Sequence, residues 1–217
     1  MPIITISRGT MSGGKALAEC LAEFLGYRCV ARQVVRDAAE SLGASPEAFS
    51  AEFEAIPGLW SRLTTEREIY SLAMQTALAE ICAEGDLIYH GLAGQVLLRD
   101  LPCLLRLRLI APVEMRVGEL TRAHHRMDRK SAEELIHNLD RDRGRWAKLM
   151  WGVEVEDPLL YDFTINLESI SLETACSIIG EMAAQPEYQI TEEVKMELEA
   201  FAFECRDRLR KAVAARS

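Results

Sequence analysis

Two glycines and a lysine near the amino terminus have the types and the spacing of an anion-binding turn. Gly9, four further residues, Gly14 and Lys15 fit the pattern G-x-x-x-x-G-K, although Ala16 stands where that pattern expects serine or threonine. Glycines permit positive φ angles, which let main-chain N–H groups turn inward around phosphate oxygens. The residues that we predict to bind phosphates are Gly9, Thr10, Met11, Ser12, Gly13, Gly14, Lys15 and Ala16.

The elements on either side of this turn suit such a role. The apolar run Ile3–Ile6 has the composition of a buried strand, and apolar residues recur at helical spacing from Leu17 to Leu25. A helix that begins at Lys15 adds unpaired N–H groups and the positive end of its dipole. The alternative interpretation is an ordinary strand-to-helix turn that contains glycine and a surface lysine.

A second group of residues whose side chains could bind phosphate lies between Asn138 and Lys148. Arg141 and Arg145 are four residues apart and share one face of a helix, with Asp142 beside them. Residues 116–148 hold nine Lys and Arg against six Asp and Glu. The stretch suits a solvated, salt-bridged helix surface, or a set of guanidinium groups that close over phosphates. We predict the second role for Arg141, Arg145 and Asp142.

Composition excludes several classes of protein. The 217 residues carry a formal net charge of −9, which argues against a general nucleic-acid binder. The six cysteines form no C-x-x-C pair, so we expect free thiols in a reducing compartment and no metal site. No apolar run reaches the length of a membrane span, and the amino terminus does not resemble a signal peptide. We therefore expect a cytoplasmic protein.

Strand and helix patterns alternate along the chain. Further strands are predicted at 87–91, 104–110 and 161–166, and a helix start is predicted at Ser45-Pro46. The sequence Ser131–Glu134 has the form of a capping box and predicts the start of another helix. Such alternation predicts an α/β fold with a parallel sheet and helices on both faces. The glycine turn, His90-Gly91 and residues 111–115 should then meet at one edge.

The alternation of strand and helix patterns ends at Pro186, and one amphipathic helical pattern follows. Apolar residues from Val194 to Val213 form one stripe at helical spacing, with charges elsewhere. We therefore divide the chain into a domain at 1–185 and an amphipathic carboxyl-terminal helix at 186–217. The stripe suits either a helix packed on the domain or a helix that forms a homodimer.

Three segments together resemble the cytidylate kinase-like branch of the nucleoside-monophosphate kinases. They are Ile4–Arg8 with Ser12–Lys15, His90–Asp100 with Arg108–Pro112, and Asp140–Arg145 with Tyr161–Asn166 and Ser171–Glu173. The resemblance covers about residues 1–183. It implies a three-layer P-loop NTPase fold with a helical lid at about 114–150, and it implies ATP, Mg²⁺ and nucleotide substrates. It would place Lys15 on the β- and γ-phosphates, and Arg141, Asp142 and Arg145 at the lid.

Three positions depart from the pattern of that branch. Ala16 lacks the hydroxyl that helps to hold Mg²⁺, and Leu92 replaces an expected arginine. After the second strand, where the branch often has an acidic residue, this chain has Val30-Ala31-Arg32. Two hypotheses follow. One is an ATP-dependent kinase that phosphorylates a nucleoside monophosphate, with CMP as the first acceptor to try. The other is a catalytically weak, nucleotide-binding regulatory protein on the same fold.

Overall fold

The predicted alternation of strands and helices is present in the computed structural model, which describes residues 2–43 and 64–215. The helix start predicted at Ser45-Pro46 lies outside these residues. The strands are β1 (Ile3–Arg8), β2 (Arg28–Ala31), β3 (Leu87–His90), β4 (Leu104–Ile110) and β5 (Phe163–Asn166). The helices are α1 (Gly14–Leu25), α2 (Arg32–Ser41), α3 (Thr64–Ala83), α4 (Gly94–Leu97), α5 (Val113–Ala123), α6 (Arg129–Trp151), α7 (Leu172–Ala183) and α8 (Glu192–Ala214).

The five strands form one parallel sheet in the order β2-β3-β1-β4-β5. In the centre, Ile3 lies opposite Leu87 on one side and Leu104 on the other. Parallel strands need a helical crossover between neighbours, which is why both faces of such a sheet become covered. All five carboxyl ends consequently lie along one edge.

Alternate strand residues divide the core into two layers. Ile4 and Ile6 point with Leu107 toward α1 and α7, in a cluster that includes Leu17 and Ile179. The intervening residues pack on the opposite face, where Ile3, Leu87 and Tyr89 share a cluster with residues of α2, α3 and α8. The fold is therefore the predicted three-layer α/β arrangement of helix, sheet and helix.

Helices α5 and α6 form a small unit beside the carboxyl edge, and we call this helix pair the lid. Its own core contains Val117 and Ile136, against which Met11 of the glycine turn packs. Helix α6 begins before the predicted capping box, because Asp128 accepts a hydrogen bond from the main-chain N–H of Ser131. Ser131 is thus a residue of the first turn and not the cap that the sequence suggested.

Helix α8 packs along α3. Its buried residues Leu198 and Leu209 belong to the same apolar cluster as Tyr70 and Leu78, and Arg206 donates a hydrogen bond to Glu80. The division of the chain at residue 185 and the homodimer both stay predictions. No helix in the part of the chain described here is long and apolar enough to cross a membrane.

Candidate phosphate-binding site

The glycine turn connects β1 to α1 and presents unpaired main-chain donors. Gly13 has a φ of 83° and forms the cap of α1, and Met11 also lies in the left-handed region at 59°. The hydroxyl of Ser12 donates to the main-chain oxygen of Gly9 at 2.9 Å, which closes the turn. The N–H groups of four consecutive residues make no hydrogen bond to a described residue: Gly13, Gly14, Lys15 and Ala16. This cradle is suited to an anion.

A cavity of about 320 Å³ opens beside the turn, at the carboxyl edge of the sheet. Main-chain and side-chain groups of the turn form one wall, and α6 with residues 153–156 forms the opposite wall. Two acidic residues, Asp140 and Glu156, line it. Five arginines line it as well: Arg8, Arg32, Arg108, Arg116 and Arg143. The excess of guanidinium groups over carboxylates suits the cavity to an anionic ligand.

Each arginine reaches the cavity because of its place in the fold. Arg8 is the last residue of β1. Arg108, near the end of the neighbouring strand β4, lies opposite Ser7 of β1. Arg32 is the first residue of the helix that follows β2. The lid contributes the other two, Arg116 from α5 and Arg143 from α6. Two parts of the chain that are distant in sequence therefore supply charge to one space.

Asp140 connects the lid to the glycine turn. Its carboxylate accepts hydrogen bonds from the main-chain N–H and the hydroxyl of Thr10, both at 2.8 Å, and from the guanidinium of Arg116. Arg143 donates to the same carboxylate at 3.2 Å and to the main-chain oxygen of Arg8 at 3.1 Å. Arg116 also donates to the main-chain oxygen of Thr10 at 2.7 Å.

The electrostatics of this cluster show crowded positive charge. Burial lowers the pKa of Arg8 and of Arg143, and each is lowered further by a neighbouring guanidinium. Burial also lowers the pKa of Arg32, with Arg36 and Arg143 adding to the effect. Guanidinium groups remain protonated in proteins despite such shifts. The cavity therefore carries a net positive charge that a bound phosphate would neutralise.

Polar groups of β1, α4 and residues 155–161 complete the wall beside Arg108. The hydroxyl of Tyr161 donates to the main-chain oxygen of Val155 at 2.8 Å and lies 3.1 Å from the hydroxyl oxygen of Ser7. The amide of Gln95 donates to the same tyrosine at 3.3 Å. The guanidinium carbon of Arg108 lies 5.5 Å from the centre of the Tyr161 ring. This contact holds the arginine against the wall.

His90 also lines the cavity, at the end of β3. Burial lowers the pKa of its imidazole, and the positive charge of Arg8 lowers it further. Its Nδ1 is buried without a hydrogen-bond partner among the described residues. The imidazole therefore adds no positive charge to the cavity near neutral pH.

The structure places the predicted catalytic residues outside the cavity wall. Lys15 points to solvent, with its side chain 72% exposed and its ammonium nitrogen 3.6 Å from Glu19. Arg141 and Arg145 lie on the outer face of α6, 3.7 and 3.8 Å from the carboxylate of Asp142. Of the predicted phosphate-binding residues, Gly9 and Ser12 line the cavity and the N–H groups of Gly13 to Ala16 form the adjoining cradle.

The cavity-lining residues Asp140 and Arg143 were not among the predicted site residues. The helical pattern contains a signal for them, since Ala132, Ile136 and Ala147 are buried in α6. Residues 132, 136, 140, 143 and 147 follow spacings of three and four, which places Asp140 and Arg143 on the inward face. Arg32 and Leu92 line the cavity too, at or beside the positions where the sequence departs from the family pattern.

Comparisons with known proteins agree with this architecture. The model of the cytidylate kinase-like family matches residues 3–169. An uncharacterized protein from Eubacterium ventriosum has 17% sequence identity and a TM-score of 0.66, with 83% of this chain and 97% of that chain covered. The Thermus thermophilus protein TT1252 has 16% identity and a TM-score of 0.50, with coverages of 84% and 96%.

A shikimate kinase from Acinetobacter baumannii, solved with shikimate, has 17% identity and a TM-score of 0.46, with 84% of this chain and 92% of that chain covered. A search of the curated proteins returned no match. The family model covers the strands, the glycine turn and the lid, and the fold is that of the P-loop kinases. The chain belongs to the cytidylate kinase-like family.

Proposed function

We propose that this protein transfers a phosphoryl group from ATP to a nucleoside monophosphate, with CMP as the first acceptor to test. One observation carries the proposal. A cavity lined by five guanidinium groups adjoins a cradle of four unpaired N–H groups at the start of α1. Two anion sites side by side are what a reaction between two phosphate-bearing molecules requires.

The cradle fits the phosphates of the donor. The unpaired N–H groups of Gly13 to Ala16 converge at the positive end of a helix of 12 residues, so they favour a negatively charged ligand. The ammonium group of Lys15 is attached to this same turn and is held only by an exposed contact with Glu19. Such a contact is weak, and the side chain is free to exchange Glu19 for a phosphate oxygen.

The arginine-lined cavity fits the phosphate of the acceptor. Arg108 and Arg116 approach it from different elements, and Arg143 joins them from the lid. A phosphate oxygen is already anionic, so its attack requires no general base. Asp140 does not serve as one, because its carboxylate is engaged by Thr10 and two guanidinium groups. The side chains of Leu92, Val96 and Ala147 supply an apolar wall for a base.

A divalent cation fits the turn less well. Ala16 offers a methyl group where a hydroxyl ligand is expected, and the hydroxyl of Ser12 already donates to Gly9. Among residues 2–43 and 64–215, no group of three or more His, Cys, Asp or Glu is placed to hold a metal ion. We therefore expect Mg²⁺ to arrive with the nucleotide.

The predicted roles of Arg141, Arg145 and Asp142 remain part of the proposal. Their side chains form one exposed network on the outer face of α6. A direct contact with a phosphate would require α6 to rotate or a ligand to extend beyond the cavity. Arg143 and Arg116 need no such movement, and we assign them the larger share of phosphate binding.

The alternative is a nucleotide-binding regulatory protein that turns over weakly. Two observations favour it: Ala16 removes a metal ligand, and Lys15 faces Glu19 and not the cavity. Both hypotheses require nucleotide binding, but they differ in turnover.

Titration calorimetry with ATP and with CMP, followed by an assay of ADP formation with Mg²⁺, separates them. The kinase predicts CMP-dependent ADP formation that falls at least about 100-fold in Lys15→Ala. Nucleotide binding without turnover that depends on Lys15, across a panel of acceptors, would leave the regulatory protein. Absence of nucleotide binding would exclude both. Lys130→Ala is the matched control, because Lys130 is an exposed lysine at the far end of the lid.

A further inference from the structure

The side chain of Arg8 lies across the glycine turn, between the cradle and the cavity. A Cβ atom built on Gly14 would lie 1.8 Å from the Cδ of Arg8 and 2.6 Å from its Nε. The arginine side chain therefore passes directly over the first residue of α1, whose N–H belongs to the cradle. It also lines the cavity, where Arg143 approaches it. Arg8 therefore borders both the cradle and the cavity.

Arg8 has no counterion among the described residues. Its Nε is buried without a hydrogen-bond partner, and no described carboxylate lies in ion-pair distance of the guanidinium. Three of the other cavity arginines differ, since Arg116 and Arg143 contact Asp140, and Arg108 lies 3.7 Å from Glu156. A partly buried cation without a counterion is unfavourable, so such an arrangement is typical of a group that binds an anionic ligand.

Lys15 is oriented differently. Its side chain is 72% exposed and directed to Glu19, one turn further along α1. Arg8 is instead packed on Gly14 and lines the cavity, so its charge lies beside both the cradle and the cavity. Preorganised charge at the place where charge develops is the largest contribution to most phosphoryl transfers.

We propose that the guanidinium of Arg8 contacts the transferring phosphoryl group and neutralises it between the donor and the acceptor. In this step a bond forms between the γ-phosphorus of a nucleoside triphosphate and an anionic oxygen of a phosphomonoester. The bond from that phosphorus to the bridging oxygen of the β-phosphate breaks, and the nucleoside diphosphate leaves with the electron pair. No proton is transferred. Arg8 remains protonated throughout and donates hydrogen bonds to the equatorial oxygens.

This role rests on the proposed function, and the test separates the two. The variants are Arg8→Met, which removes the charge, and Arg8→Lys, which keeps it without the planar fork. Gly14→Ala keeps Arg8 and the N–H of residue 14, but its methyl group displaces the arginine side chain. The control is Arg99→Met, because Arg99 is 67% exposed and meets only Asp100, at 3.6 Å. Thermal unfolding of each variant shows that it is folded.

If the wild type forms ADP, we expect kcat to fall by roughly 10³-fold in Arg8→Met and by at least about tenfold in Gly14→Ala. Arg8→Lys should recover part of the loss, and Arg99→Met should leave kcat within about twofold. A kcat for Arg8→Met within about threefold of wild type would overturn the role of Arg8 while the kinase function stands.

If the wild type forms no ADP, the kinase proposal fails and binding still tests Arg8. Calorimetry with inorganic pyrophosphate then compares the wild type with Arg8→Met and Arg99→Met. A loss of affinity of at least about tenfold in Arg8→Met alone supports Arg8 as a phosphate ligand. Equal affinity in all three proteins contradicts it.

Discussion

The carboxylate of Asp140 accepts two hydrogen bonds from Thr10, one from the main-chain N–H and one from the hydroxyl, each 2.8 Å long. The two residues are 130 positions apart in the chain. Because Thr10 belongs to the glycine turn and Asp140 to α6, this contact fixes the lid against the glycine turn. The same carboxylate orients Arg116 and Arg143 toward the cavity.

Replacement of Asp140 by alanine should therefore destabilise the protein. It removes the acceptor of the Thr10 N–H and the counterion of two largely buried guanidinium groups, those of Arg116 and Arg143. We expect the free energy of unfolding to fall by about 2 kcal/mol at pH 7. Urea denaturation measures the change, with Glu181→Ala as the control because Glu181 is an exposed carboxylate on α7.

The destabilisation should depend on pH. Burial alone would raise the pKa of Asp140, but hydrogen bonds from Thr10 and Arg116 outweigh it and hold the pKa below its usual value of 3.8. The contribution of Asp140 to the free energy of unfolding is thus fully present above pH 4 and is lost as the pH falls through the lowered pKa. The difference between wild type and Asp140→Ala should shrink at about pH 2. A difference that stays constant from pH 7 to pH 2 would contradict this account.

Two arginines of α6 allow a matched comparison of its inner and outer faces. Arg143 lines the cavity and donates to the hydroxyl of Thr10 at 3.3 Å, whereas Arg145 is 63% exposed and 3.8 Å from Asp142. We expect Arg143→Met to raise the Kd for CMP by at least about tenfold, and Arg145→Met by less than about twofold. Calorimetry measures both. The reverse order would favour the catalytic role that the sequence predicted for Arg145.

The main features of the fold were predictable from the sequence because they are local. A buried apolar strand, a glycine turn and an amphipathic helix follow one another within residues 3–25, and the structure has all three. The resemblance of three segments likewise led to the correct family. The parallel sheet follows from the alternation of elements, which requires no knowledge of individual contacts.

The walls of the cavity were harder to predict because they depend on orientation. Arg141 and Arg145 stand out in the sequence as an i, i+4 pair, yet the buried positions Ile136 and Ala147 turn Arg143 inward. Arg8 lies in a segment that carries the family resemblance, but its role was not predicted, since a charged residue at the end of a strand is also common on surfaces. Its contact with Gly14 exists only once the turn has folded.

His90 should make the stability of the protein sensitive to mild acid. Burial, followed by the charge of Arg8, lowers the pKa of its imidazole below the ordinary 6.5. The unfolded chain then takes up a proton before the folded chain does. Stability is therefore fully present above about pH 6.5 and falls as the pH drops toward the lowered pKa. Urea denaturation at pH 7.5 and pH 5 should show a smaller loss for His90→Gln than for wild type, and an equal loss would exclude this role.

Restoring a hydroxyl at the glycine turn should lower the Mg²⁺ requirement of the proposed reaction. Ala16 is exposed in the first turn of α1, so Ala16→Ser should change the free energy of unfolding by only about 0.5 kcal/mol. The added oxygen can serve as a ligand for the cation that accompanies the nucleotide. We expect half-maximal ADP formation at a severalfold lower Mg²⁺ concentration. Ala214→Ser in the last turn of α8 is the control, and the same Mg²⁺ dependence in both variants would refute the assignment.

The two faces of α8 should differ sharply in their effect on stability. Leu198 is 1% exposed and packs in the cluster that contains Tyr70, whereas Phe203 is 73% exposed. Leu198→Ala should lower the free energy of unfolding by about 3 kcal/mol because it leaves a cavity, and Phe203→Ala should change it by less than about 0.5 kcal/mol. Urea denaturation measures both. Light scattering of the 24.3 kDa chain tests the homodimer predicted through this helix, because a dimer would scatter with twice the mass of the monomer.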